Sequence, residues 1–226
     1  MAAVEPPEPL IYRPPTDPWL TLVYEDRHVI AANKPAGLLA VPGKPADHQD
    51  CLEARVEARF PEARIVHRLD RPTSGLVLFG RGAAAHARLS LAFEQRRVAK
   101  TYIARVSGLI EDGAGEIDAP VCADWPRRPR QMIHPTLGKP ALTRWRVLAR
   151  EADPTATRVA LEPQTGRTHQ LRLHMAWLGH PILGDGFYAP PEARAAADRL
   201  QLHAERLSLE HPVTGEPLAL HAPCPF

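Results

Sequence analysis

Short, β-prone apolar runs recur along the whole chain, and only a few amphipathic stretches interrupt them, in no strict alternation. A doubly wound sheet needs a helix after nearly every strand. The pattern therefore argues for an α+β fold, a mixed and largely antiparallel central sheet flanked by helices. Leu20–Tyr24 and Val29–Ala32, separated by Glu25-Asp26-Arg27-His28, predict a hairpin. Leu76–Phe79, Thr101–Val106, Ala141–Leu148 and Arg158–Glu162 predict further strands, and Leu207–Glu210 with Leu218–His221 a terminal hairpin. Cys51–Phe60 places Leu52, Val56 and Phe60 four apart and predicts a short helix stopped by Pro61. Ala83–Gln95 predicts a second helix with Leu89, Ala92 and Phe93 inward, and Thr168–Leu178 a third with Leu171, His174, Met175 and Leu178 on one face.

Residues 1–18 contain six prolines, which excludes helix and central strand and predicts an extended arm. Residues 19–226 then form one domain, of a size that buries a sizeable core. No apolar run approaches the roughly 18 residues of a membrane helix. No basic, then apolar, leader opens the chain, and the three cysteines are scattered, so the expected compartment is the cytoplasm. Nucleotide-binding glycine loops, H-E-x-x-H and G-x-S-x-G are missing. His169 and His174 lie five apart with no third ligand in sight, so no metal is expected.

Net charge is only +2, but its distribution is uneven. From Trp125 to Arg150 there are seven basic residues (Arg127, Arg128, Arg130, Lys139, Arg144, Arg146, Arg150) and no acidic one. Such a block suits a polyanion; it also suits a solvated loop and strand face.

Three segments carry candidate chemistry. In Val66-His67-Arg68-Leu69-Asp70-Arg71-Pro72-Thr73-Ser74-Gly75 an acid flanked by arginines sits where a loop enters a strand. Asp70 there is either a nucleophile or electrostatic stabiliser, or the cap of a turn. In Thr165–His174, Gly166 allows a sharp turn and Thr168 is placed to cap a helix bearing His169, Gln170 and Arg172. In Lys100-Thr101-Tyr102, alternation sets Lys100 and Tyr102 on one strand face, where a tyrosine also serves as packing.

Read together, these segments resemble the RluA family of pseudouridine synthases. His67-Arg68-Leu69-Asp70 with Thr73-Ser74-Gly75 is similar to its catalytic motif, Lys100-Thr101-Tyr102 to its K-x-Y, and Gly166–Arg172 to its G-R-T-H-Q-[IL]-R. Asn33-Lys34-Pro35-Ala36-Gly37-Leu38, His180–Asp185 and Leu202-His203-Ala204 also fit, in the family's order from about residue 22 onward. The N-terminal S4 domain that many relatives carry is not expected here. The arm, Cys122–Pro129 and Asp185–Arg194 resemble the members that modify both 23S rRNA and certain tRNAs.

The resemblance implies a pseudouridine synthase fold with an RNA-binding cleft, and RNA as partner: a 23S rRNA hairpin and a tRNA anticodon stem-loop, not DNA or membrane. The family's habit is monomeric. Asp70 would be the nucleophile, Tyr102 would stack on a flipped uracil and help remove its C5 proton, and Arg167 would pair with Asp70. His67, Arg68, Lys100, Arg127, Arg128, Arg130, His169, Gln170 and Arg172 would contact RNA. Isomerisation oxidises nothing and transfers no outside group, so no cofactor is implied. Two rivals stand beside this reading. A non-catalytic RNA-binding module predicts erosion of the catalytic positions, which are intact. A nucleosidase predicts a second, matched carboxylate, and no acid lies between Asp70 and Glu94.

Overall fold

The computed structural model describes residues 12–152 and 155–226, so most of the Pro-rich arm lies outside the described residues. The strands are β1 (Leu22–Glu25), β2 (Val29–Lys34), β3 (Ala63–Ile65), β4 (Ser74–Arg81), β5 (Ala99–Ser107), β6 (Ala114–Asp118), β7 (Val121–Ala123), β8 (Gln131–Ile133), β9 (Leu142–Ala152), β10 (Thr155–Pro163), β11 (Leu202–Glu210) and β12 (Pro217–His221). The α-helices are α1 (Leu52–Arg59), α2 (Ala83–Glu94), α3 (Gln170–Trp177) and α4 (Pro191–Ala195). Ten strands share one sheet in the order β1-β2-β4-β11-β5-β10-β9-β6, with β3 also on β4 and β12 also on β11. The β7–β8 pair forms a separate ribbon. Within the large sheet only β4 and β11 run parallel, over His203↔Ser74 and Ala204↔Gly75.

Strand β4 is buried almost end to end because helices cover both of its faces. Val77 and Phe79 point to one side and pack with Leu52, Val56 and Phe60 of the α1 region. Leu76 and Leu78 point to the other and pack with Leu89 of α2. The period-2 alternation of a strand thus feeds two cores at once. Each such fully buried side chain contributes about 1.5–3 kcal/mol relative to exposure.

The β4–β11 junction depends on Gly75. Its φ is +115°, and a Cβ there would lie 2.3 Å from the Ala204 carbonyl oxygen. Beside it a neutral His203 bridges the strands: Nε2 donates to Ala222 O (2.9 Å) and Nδ1 accepts from Ser74 Oγ (2.8 Å). Burial holds the His203 pKa down, as that bonding requires.

The third core, built on Val159, Leu161, Leu171 and Met175, sits between the far half of the sheet and α3. Tyr102 packs against this core and against the α1 core, and so marks their meeting line.

The predicted hairpins and helices are present with ends shifted by a few residues. The reading missed β3, β6, β7, β8 and α4, each only three to five residues long, too short to show a period. It also missed how the end of the arm is held. Buried Arg55 donates to Pro15 O (2.8 Å) and Trp19 O (2.7 Å) while gripping both oxygens of Asp50. Among the described residues no helix is long and apolar enough to cross a membrane.

Candidate active site

Asp70 lies in the loop between β3 and β4, and the loop is clamped from below. Thr73 N–H donates to Asp70 O (3.1 Å), while Gly37 N–H (2.9 Å) and Lys34 Nζ (3.1 Å) both donate to Arg71 O. The fully buried Lys34 also donates to Leu38 O (2.7 Å) and Pro35 O (3.0 Å). Burial pulls its pKa down to about 7, against the opposing pull of Asp70's charge. The Asn33–Gly37 turn is therefore the support of the Asp70 loop. The carboxylate caps no turn; it opens into a cleft of about 190 Å³.

The cation facing Asp70 is Arg172, not Arg167. Arg172 Nη1 lies 3.4 Å from Asp70 Oδ2. Its other nitrogens grip buried Asp185 in a fork, Nε to Oδ2 at 2.8 Å and Nη2 to Oδ1 at 2.6 Å. Asp185 Oδ1 also accepts from the Phe187 (2.8 Å) and Tyr188 (3.2 Å) amides. A bidentate grip fixes the plane of the guanidinium, so its remaining nitrogen is aimed at Asp70. Arg167 precedes α3 instead and donates from Nε to Pro140 O (3.1 Å) on the cleft rim. One helical turn decides the difference: position 172 on α3 faces inward, whereas position 167 lies in the loop before it.

Several residues expected to contact RNA are engaged inside the protein. Arg172 is 2% exposed and fully committed to carboxylates. Gln170 is buried: Oε1 accepts from Thr165 Oγ1 (2.7 Å) and Arg167 N–H (3.0 Å), and Nε2 donates to Leu142 O and Thr143 Oγ1, both at 3.0 Å. Thr143 in turn donates to Nδ1 of His174 (2.9 Å), whose Nε2 donates to Ala119 O (3.0 Å). This closed network holds the 165–170 loop. Thr168 caps nothing; the residue before α3 is His169, in the left-handed region at φ +55°. Gly166 has no positive φ and no crowding to require a glycine. His67 turns inward as well: its Nε2 accepts from Leu78 N–H (3.1 Å), its ring stacks on Phe93 at 4.4 Å, and burial pulls its pKa down to about 3. His169 lies over Asp70, with Nε2 at 3.8 Å from Oδ2.

Tyr102, Lys100 and Arg68 do line the cleft. Burial first, and the charge of Asp70 second, raise the Tyr102 pKa far above the usual phenol range. Burial also lowers that of Lys100.

The basic block does not form one surface. Arg144 pairs with Glu116, and Arg150 donates to the carbonyls of Ile110, Glu111 and Asp112. The ribbon is different. At its tip Trp125 is 69% exposed, with the Arg128 guanidinium 3.4 Å above the ring. Arg127 is held by Asp124 (2.7 Å), and Arg130 lies over Tyr188. Trp125, Tyr188 and Asp185 were not picked out as site residues by sequence. The available signals were a tryptophan among prolines and arginines, and the place of Asp185 and Tyr188 in segments that resemble the family.

The family model for RNA pseudouridylate synthase matches residues 28–177. This chain belongs to that family: it is an isomerase that makes pseudouridine in RNA. The chain is 50% identical over 215 residues to a Vibrio cholerae protein called dual-specificity RNA pseudouridine synthase RluA, covering 95% of this chain and 87% of that one. The Escherichia coli K12 protein of the same name is 48% identical, with 95% and 98% covered. Among solved structures, human RNA pseudouridylate synthase domain containing 1 aligns with a TM-score of 0.76 at 33% identity, over 92% of this chain and 84% of that one.

Proposed function

We propose that this chain isomerises uridines in a 23S rRNA hairpin and in a tRNA anticodon loop, with Asp70 as nucleophile. It works as a cytoplasmic monomer from one catalytic domain, residues 19–226, without metal or cofactor. The two-substrate reading rests on the relatives' names. The catalytic reading rests on one observation: an Asp70 carboxylate open to a cleft and faced by an arginine whose other edge is locked on buried Asp185.

The reaction breaks the N1–C1′ bond of uridine, turns the base and forms C5–C1′; C5 loses a proton and N1 regains one. The target base must leave its stack, at a cost of about a few kcal/mol. Arg172 and His169 both approach Oδ2 of Asp70, and Oδ1 has no partner among the described residues. Oδ1 is thus the oxygen offered to the substrate, for attack on C1′, for a glycal path or for addition to C6. Tyr102 sits beneath, held protonated by burial. That favours a stacking surface for the flipped base over a resting base for the C5 proton. Arg68, Lys100 and Arg167 stand around the mouth as phosphate or base contacts. Trp125 and the ribbon arginines form the outer grip on the stem-loop.

The test is Asp70→Asn, which keeps shape but not nucleophilicity. Pseudouridine mapping on anticodon stem-loops and rRNA hairpins should register a loss of about a thousandfold or more with RNA affinity kept. Activity within tenfold of wild type would remove Asp70 from the chemistry. Modification of only one RNA class by wild type would reduce the substrate reading to one RNA.

A further inference from the structure

Tyr188 joins the ribbon to the floor of the active site. Its hydroxyl oxygen accepts the Gln131 N–H, from the first residue of β8, at 2.8 Å. The same hydroxyl lies 2.8 Å from Nδ1 of His169. The opposite nitrogen, Nε2, faces Asp70 Oδ2 at 3.8 Å.

The direction of these bonds follows from where the hydroxyl proton can go. An amide can only donate, so Gln131 takes a lone pair, and among the described residues His169 Nδ1 is the one acceptor within reach of the Tyr188 proton. Nδ1 then accepts, and the imidazole proton sits on Nε2, pointing toward the carboxylate. The other tautomer would turn a bare nitrogen lone pair on Asp70. Burial lowers the His169 pKa and keeps the ring neutral, with one proton to place.

We propose that Tyr188 is a positioning residue: its hydroxyl fixes the tautomer of His169 so that Nε2–H faces Asp70, and its bond to Gln131 ties that arrangement to the RNA-gripping ribbon. This rests on the assignment of Asp70 as the reacting group. The ring of Tyr188 has a second duty, carrying the Arg130 and Arg172 guanidiniums at 5.5 and 5.4 Å from its centre. Phenylalanine keeps that ring and removes only the hydroxyl, so the two duties can be separated.

The experiment compares wild type with Tyr188→Phe in two readouts. Nitrogen-15 NMR of the imidazoles, without RNA, should give His169 as the Nε2–H tautomer in wild type and as a mixture in the variant. Single-turnover tritium release from an anticodon stem-loop carrying 5-tritiated uridine should slow at least tenfold, with RNA Kd within twofold. His169→Gln should slow it similarly, and adding Tyr188→Phe to it should cost little more. A wild-type His169 already protonated on Nδ1 would overturn the proposal. So would a rate within twofold of wild type, or a loss appearing wholly in Kd. Failure of the assignment itself is distinct: Asp70→Asn would then stay active while the NMR result stood.

Discussion

The floor of the cleft and the ribbon at its edge both carry arginine, and they use it in opposite ways. On the floor, Arg172 is buried between two carboxylates, so its position is set before any substrate arrives. On the ribbon, Arg128 is spread on an exposed indole and Arg130 on a tyrosine ring, with no carboxylate partner among the described residues. Burial makes the first arginine expensive to disturb and exact in direction. Exposure makes the second cheap to change and free to meet phosphate or base. The lesson is that guanidinium chemistry is sorted by solvent access: a fixed direction toward Asp70 inside, a guanidinium open to an anion outside.

Breaking the floor has the largest effect. Arg172→Met leaves Asp185 buried and unpaired, which costs about 3–5 kcal/mol of stability as read by urea unfolding, and activity disappears even where the protein stays folded. A variant as stable as wild type would mean that Asp185 does not need the pair.

On the ribbon, Trp125→Ala should weaken RNA binding by about 1–3 kcal/mol, the usual worth of one stacked base, without shifting Tm. Replacing Arg127, Arg128 and Arg130 together should lower the slope of log K against log salt by about two to three. An unchanged slope would make the ribbon a solvated face.

A smaller effect sharpens the inside half of the comparison. His67 has a folded pKa near 3 against its ordinary 6.5, so the unfolded chain binds the extra proton between those values. Its contribution is complete above pH 6.5 and is lost as pH falls through the window toward 3, at about 1.4 kcal/mol per pH unit. His67→Gln keeps an acceptor for Leu78 N–H but cannot titrate, and should reduce the wild-type slope by about one proton between pH 6 and 4. An identical slope would place the lost proton elsewhere, on His174 or His203, which burial also holds neutral.

The smallest effect belongs to Arg167→Ala. It should slow turnover less than about tenfold, since that side chain meets a backbone carbonyl rather than Asp70. A loss as deep as that of Arg172→Met would mean that bound RNA brings Arg167 to the carboxylate.

The sequence by itself determined the α+β class, the longer strands and helices, and the segments that converge on the cleft. Their apolar period and turn residues are local, and local chemistry is what a sequence displays. Asp70, Tyr102 and Lys100 all line the cleft, but local chemistry left them open, Asp70 as nucleophile or turn cap and Tyr102 as packing; it was the resemblance of their motifs to a family that singled them out. The tertiary structure alone decided which arginine faces Asp70, because Arg167 and Arg172 carry the same group five residues apart and only burial against Asp185 separates them. It also decided that His67 and Gln170 turn inward, where β4 and β9 offer backbone partners. The basic block was divided the same way: Arg144 and Arg150 found partners on and beside β6, Arg127 paired with Asp124, and Arg128 and Arg130 were left to aromatic rings. A hydrogen bond or ion pair between distant segments has no local signature, since its energy depends on which neighbours the folded sheet supplies.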